Sequence, residues 1–146
     1  MNFESRLREA AKNGELGQAR MFLMAGTDIE STDEEGWTPL MFAALGGHLE
    51  LAQMLIEKGA DVNARSQGGF AGMTTLMIAA SCGHVELVRV LLERGADVRP
   101  QGPQGGTALA FAAFYRKYDI VKLLLVAGAD PRSGNYGIGV TASQSQ

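Results

Sequence analysis

This chain repeats itself, and that limits its architecture more than any other feature. Four segments align, marked by MAGTDIE at 24–30, EKGADVN at 57–63, ERGADVR at 93–99 and VAGADPR at 126–132. Their glycines, at 26, 59, 95 and 128, lie 33, 36 and 33 residues apart. A second set, EAAKNGEL, FAALGGHLEL, IAASCGHVEL and FAAFYRKYDI, recurs in the same phase from Glu9, Phe42, Ile78 and Phe111. A third, Gly36-Trp-Thr-Pro-Leu40, returns as Gly72-Met-Thr-Thr-Leu76 and Gly105-Gly-Thr-Ala-Leu109. Three motifs in register at this period describe a stack of small units, none of which can bury its apolar face alone. The repeat also explains the 19 glycines in 146 residues, about twice the average share.

Each unit reads as helix, turn, helix, finger. Thr38 before Pro39 places a hydroxyl N-cap ahead of proline at the first helical position, where its missing N–H costs nothing. Helix 1 is short, and its alanine pairs (43–44, 79–80, 112–113) keep it narrow enough for close stacking. Gly47 and Gly83 end it. Helix 2 is expected from about His48 to Lys58 and from His84 to Arg94. Leu51, Met54 and Leu55 lie at helical spacing there, as do Leu87, Val90 and Leu91. Glu50, Glu86 and Asp119 in its first turn and Lys58 and Arg94 at its end suit the helix dipole. Gly59, Gly95 and Gly128 then occupy the position after the C-cap.

The pattern G-x-T-P-L-x-x-A-A-x-x-G-H-x-E-L-x-x-x-L-I-E-K-G-A-D-V-N, nearly complete in residues 36–63, resembles the ankyrin repeat. The resemblance covers about residues 3–131. It implies an all-α solenoid in which the finger turns and helix 1 surfaces form a concave protein-binding face. The expected organisation is one domain over 1–146: a capping unit at about 3–31, repeats at about 32–64, 65–97 and 98–131, and a tail at 132–146. In the first unit Arg8 and Glu9 stand where Met41 and Phe42 stand in the next, as a water-facing cap requires. The opposite end carries Val126 where Glu57 and Glu93 occur. Gly139-Val-Thr-Ala142 resembles the opening of another repeat, and residues 133–141 are expected to drape over the last helix pair.

Composition narrows the function classes. Net charge is −3, which gives no general attraction to nucleic acid or anionic membranes. Residues 1–64 hold 11 acids against 5 bases (−6), and 65–146 hold 5 against 8 (+3), with the bases dispersed. No apolar stretch approaches the ~20 residues of a membrane helix. The N-terminal MNFESRLREAAKNGE interleaves charge with apolar residues, unlike a signal peptide. Together with the single cysteine, this leads us to expect a soluble cytoplasmic protein.

Chemical constellations are sparse. Cys82 and His84, with His48 at the equivalent place in the preceding unit, fall short of the three or four converging ligands a metal needs. Both histidines also occupy the Gly-His position that the resemblance assigns to the start of helix 2. Gly68-Gly69 to Gly72 lacks the Gly-Lys-Ser/Thr ending and preceding strand of a phosphate loop, so it reads as a finger. No catalytic residues, cofactor or metal are expected. The function expected is a non-enzymatic protein-interaction module or scaffold. A regulatory ligand-binding domain and a domain that self-associates through its C-terminal end are the alternatives.

Departures from the ankyrin pattern supply the candidate partner-binding residues. Met41 and Met77, with Ala110, replace the usual histidine after Thr-Pro-Leu. Asp61 to Thr74 spans 13 residues where Asp28 to Thr38 and Asp97 to Thr107 span 10, and the extra length carries Phe70. Trp37 and Met73 share a finger position, Leu45, Ser81 and Phe114 share the end of helix 1, and Tyr115 with Arg116-Lys117 replaces the Gly-His region. Trp37, Phe70 and Tyr115 are the expected anchors, since large aromatics dominate binding energy at interfaces. Met41, Leu45, Met73, Met77 and Phe114 extend that surface, and packing of Met41 and Met77 between repeats is the competing reading. Glu34 and Glu35 form an acidic rim that favours a partner bearing basic residues.

Overall fold

The structure, a computed structural model, describes residues 2–68 and 72–134. Among these residues are eight α-helices: α1 (Phe3–Asn13), α2 (Leu16–Met24), α3 (Pro39–Gly46), α4 (Leu49–Glu57), α5 (Thr75–Cys82), α6 (Val85–Glu93), α7 (Ala108–Phe114) and α8 (Tyr118–Val126). A 3-10 turn at Pro103–Gly105 lies in the last finger. The helices pair in sequence. Odd-numbered helices pack side by side in one row and even-numbered helices in a second. The chain is thus an all-α solenoid whose core lies between two rows.

Local chemistry sets the helix starts. Thr38, Thr74 and Thr107 are extended, and each hydroxyl accepts a hydrogen bond from the N–H three residues on, at 3.1–3.2 Å. Such a cap contributes about 1 kcal/mol. Between the rows, Leu40, Leu51, Leu55, Leu76, Leu87, Leu91, Ile120 and Leu124 are buried. Each is worth roughly 1.5–3 kcal/mol relative to exposure. The second helices begin and end one residue inside the expected limits, because His48 and Lys58, like His84 and Arg94, are cap residues with non-helical backbone on the N-terminal side. Gly59 and Gly95 follow in the left-handed region, at φ 100° and 90°.

The alanine pairs act as spacers. Ala43, Ala44, Ala79 and Ala80 are wholly buried between odd-numbered helices. Met41 and Met77 are buried beside them, at 0% and 1% exposure, and this corrects their assignment to a partner-contacting surface. The place that takes histidine in the ankyrin pattern faces the neighbouring unit here, so a flexible apolar side chain fills space between units instead of meeting solvent.

Fingers are tied to one another across the units. The Glu30 carboxylate accepts from the Asp61 N–H at 2.7 Å. Burial pushes the Glu30 carboxyl above its ordinary range, the Asp61 N–H opposes this, and the charges of Asp61 and Asp28 add to it. One unit on, Asn63 accepts from the Asp97 N–H at 2.8 Å and donates to the Gly95 carbonyl at 3.1 Å. The equivalent place in the next segment is Arg99, whose guanidinium turns back to Asp97 at 3.0 Å.

The two described sides of the long finger meet in an antiparallel bridge between Arg65 and Thr74, and the Ser66 N–H donates to the Met73 carbonyl at 2.8 Å. The expectations for Phe70 and for Gly139-Val-Thr-Ala142 lie outside the described residues. At the C-terminal end, Gly134 lies against Thr107, where an added Cβ would come within 2.7 Å of Thr107 Cγ2. Leu124 is buried, whereas Leu125 is 42% and Val126 88% exposed.

One helix start departs from its sister in a testable way. Thr75 begins α5 where Pro39 begins α3. It is fully buried, and its hydroxyl has no hydrogen-bond partner among the described residues. Thr75→Pro should stabilise the chain by about 1 kcal/mol, since it removes an orphaned hydroxyl, restricts the unfolded chain and needs no N–H at this position. Thr74 already has the extended backbone that a following proline demands. Urea denaturation reads this directly, and a lowered midpoint would mean that the hydroxyl is satisfied.

Candidate interaction groove

An apolar concavity of about 350 Å³ lies across α3, α5 and α7 on the side of the fingers. It brings together five of the expected contact residues: Trp37, Leu45, Met73, Phe114 and Tyr115. Trp37 is set by its finger. The Asp33 carboxylate accepts from the N–H groups of Glu35 and Trp37 at 3.0 and 2.9 Å, and the Asp33 N–H donates to the Trp37 carbonyl at 3.2 Å. The indole then rests half-buried on Phe42, with ring centroids 5.4 Å apart and planes tilted by 46°.

At the other end of the groove the last turn of α7 presents Phe114 and Tyr115, edge to face at 4.9 Å. Both stand in solvent, at 42% and 50% exposure. Such a pair holds its rings in place without a surrounding core, so a broad apolar surface stays available. The turn that follows contains Arg116 at φ 61°, in the left-handed region, where the corresponding residues of the two preceding units are Gly47 and Gly83. Gly47 and Gly83 cap α3 and α5 with their N–H groups, and Arg116 donates likewise to the Ala113 carbonyl at 3.1 Å. A side chain at that φ carries a cost of order 1 kcal/mol.

Some expectations do not gather here. Met41 and Met77 are beneath the surface, as described above. Glu34 and Glu35 lie beside the groove, in a separate polar hollow with Arg8, Thr32 and Asp33. Glu34 is exposed; Glu35 is held toward the next finger, its carbonyl accepting from the Gln67 N–H at 2.8 Å and its carboxylate lying against Gly68.

Other groove residues were not foreseen from the sequence. Pro103 and Gln104 of the 3-10 turn form one wall, with Gln104 at φ 59°, and Phe111 forms part of the floor. Phe111 precedes Phe114 and Tyr115 by three and four residues, the spacing that puts side chains on one helix face. That spacing was the available signal. Gln104 offered none, because nothing in its residue type marks a left-handed turn.

Cys82 also lines the groove and is exposed. Burial pushes its thiol up, and the nearby charge of Lys117 only partly opposes this, so at neutral pH it is a protonated wall residue and not an activated nucleophile. His48 and His84 join units: their Nε2 atoms lie 3.0 Å from the Lys12 carbonyl and 3.4 Å from the Leu45 carbonyl. Among the described residues no group of three or more His, Cys, Asp or Glu side chains is placed to hold a metal ion. No described helix is long and apolar enough to cross a membrane.

Comparison with known proteins agrees with the repeat geometry. A family model described as ankyrin repeats in three copies matches residues 7–101 and again 68–135. The chain is 40% identical over 63 residues to human protein phosphatase 1 regulatory subunit 27, across 43% of this chain and 41% of that protein. It is 38% identical over 66 residues to human ankyrin repeat domain-containing protein 39, across 45% of this chain and 36% of that one. It is 39% identical over 65 residues to human M-phase phosphoprotein 8, across 43% of this chain and 8% of that one. Each of these matches covers less than half of the relative. The family model, the helix pairs and the finger contacts together show that the chain belongs to the ankyrin repeat family.

Proposed function

We propose that this chain is a non-enzymatic interaction module that takes a protein or peptide partner into the groove across α3, α5 and α7. The observation that carries the proposal is the meeting of exposed Phe114 and Tyr115 with Trp37 and Met73 around one apolar hollow. Aromatic side chains left in solvent on a rigid scaffold are a poor arrangement for an isolated domain and a good one for a binding hot spot. Ankyrin repeats serve generally as protein-binding scaffolds, and the name of one relative, a phosphatase regulatory subunit, describes a protein that acts through another. Glu34 beside the groove favours a partner with a basic segment. A cytoplasmic setting fits the lone, unpaired Cys82.

Affinity capture from native lysate, with the wild-type chain and the Phe114→Ala/Tyr115→Ala double variant as baits, tests this. At least one protein should be retained by the wild type and lost by the variant. Identical captured sets would overturn the groove assignment.

A second reading has its own observation. Tyr118, Leu125 and Val126 are exposed on α8 at the end of the stack, an apolar surface through which copies of the chain could associate. Light scattering at increasing concentration separates the two: a constant monomeric mass removes self-association, and a rising mass that Val126→Glu suppresses supports it.

A further inference from the structure

The groove is lined mostly by apolar residues, and the aromatic residue at each end has charged neighbours in sequence, of opposite sign at the two ends. At the finger end, Trp37 follows the acidic turn Asp33-Glu34-Glu35. At the helix-turn end, Tyr115 is followed directly by Arg116 and Lys117, where the two preceding units have Gly-His. No carboxylate among the described residues forms an ion pair with Arg116 or Lys117, although Asp119 is close in sequence. Arg116 moreover keeps a left-handed backbone that glycine would adopt without strain. A charged, unpaired, conformationally costly residue beside two exposed aromatics is better explained by a ligand than by the stability of the turn.

We infer that the occupant of this groove is a bipolar peptide segment: an aromatic or branched apolar anchor with carboxylates on the side that meets Arg116 and Lys117, and bases on the side that meets Glu34. This deepens the reading proposed above and rests on it. The apolar hollow supplies most of the affinity, and the two charged ends fix the direction in which the peptide lies. A peptide with the same anchor but reversed charge places carboxylates beside Glu34 and bases beside Arg116, and like charges then repel at both ends. The arrangement discriminates through rejection as much as attraction. Exposed charges act through solvent, so the preference should fade as salt rises, while binding of the anchor persists.

The test is selection from a phage-displayed library of random peptides on the full chain, followed by fluorescence anisotropy with a synthetic copy of the most enriched peptide. Selected peptides should carry an aromatic or branched apolar residue with Asp or Glu on one side and Lys or Arg on the other. Replacing the acids by Asn or Gln should weaken binding about tenfold at low salt, and the R116E/K117E variant should lose affinity at least as much. R116E/K117E should instead enrich peptides with bases at the position of the acids.

Arg116→Gly separates ligand binding from turn stability. It should raise the melting temperature by roughly 3 °C, since glycine suits the backbone, yet still weaken the acidic peptide. Three results overturn the inference, and they are distinguishable. No enrichment over a Trp37→Ala/Tyr115→Ala control removes the groove reading and the bipolar ligand together. Enrichment that depends on Trp37 and Tyr115, with affinity unchanged in R116E/K117E, removes only the bipolar ligand. An Arg116→Gly variant that binds like the wild type also removes it, because the arginine then serves the turn alone.

Discussion

Met77→Ala should lower the unfolding free energy by about 2–5 kcal/mol, whereas Leu45→Ala should cost under about 1 kcal/mol. Both positions look alike in the repeat alignment, as apolar departures facing the presumed concave surface. The structure separates them: Met77 is 1% exposed between units, and Leu45 is 41% exposed on the groove wall. Removing the Met77 side chain leaves space between units that buried neighbours such as Ala79 and Ala80, with only a methyl group each, cannot refill. The effect should also reach the groove. Met77 Sδ lies against Gly102, so close that a Cβ there would come within 2.8 Å of it, and Gly102 precedes the turn that carries Pro103 and Gln104. Urea denaturation of the two variants gives the comparison. If Met77→Ala cost no more than Leu45→Ala, the methionine would have to be a surface residue after all.

Those two positions show how far the sequence could be read. The period, the Thr caps and the C-terminal helix glycines follow from local chemistry that each residue carries with it, and the helices form where that chemistry places them. Whether a residue on helix 1 faces the groove or the next unit depends on a rotation of a few tens of degrees about a short helix. An eight-residue helix such as α3, apolar nearly all round, carries no periodicity to set that rotation. Trp37, Phe70 and Tyr115 stand out in the sequence because aromatic residues in fingers and at helix ends have little core to enter; of these, Tyr115 is exposed and Trp37 half-buried along the groove, and Phe70 lies outside the described residues. The polar contacts between fingers, such as Glu30 to the Asp61 N–H, could not, because they join residues 31 positions apart through a backbone group that any residue supplies. Glu34 and Glu35 show the same limit: lying three and two residues before Trp37, they suggest one rim with it, and the turn built on Asp33 sets them in a polar hollow of their own beside the groove.

Trp37→Ala and Tyr115→Ala should each weaken partner binding by about 1–4 kcal/mol, and they should differ in what they do to the free protein. Tyr115 is half exposed and its ring packs edge to face on Phe114, itself exposed, so its truncation should leave stability within about 0.5 kcal/mol of wild type. Its backbone N–H still donates to the Phe111 carbonyl, so the end of α7 is kept. Trp37 is half-buried on Phe42, and its loss should cost the fold about 1–2 kcal/mol as well. Phe70 belongs to the same expectation, with Phe70→Ala weakening binding by a similar amount. Calorimetric titration of a captured partner, with thermal denaturation of each variant, resolves the two contributions. Tyr115→Ala carries the decisive comparison, because its unchanged stability leaves lost contact as the explanation of any lost affinity. Wild-type affinity in Tyr115→Ala would mean that the partner does not reach the helix-turn end of the groove. Wild-type affinity in both variants would place the binding surface elsewhere on the solenoid.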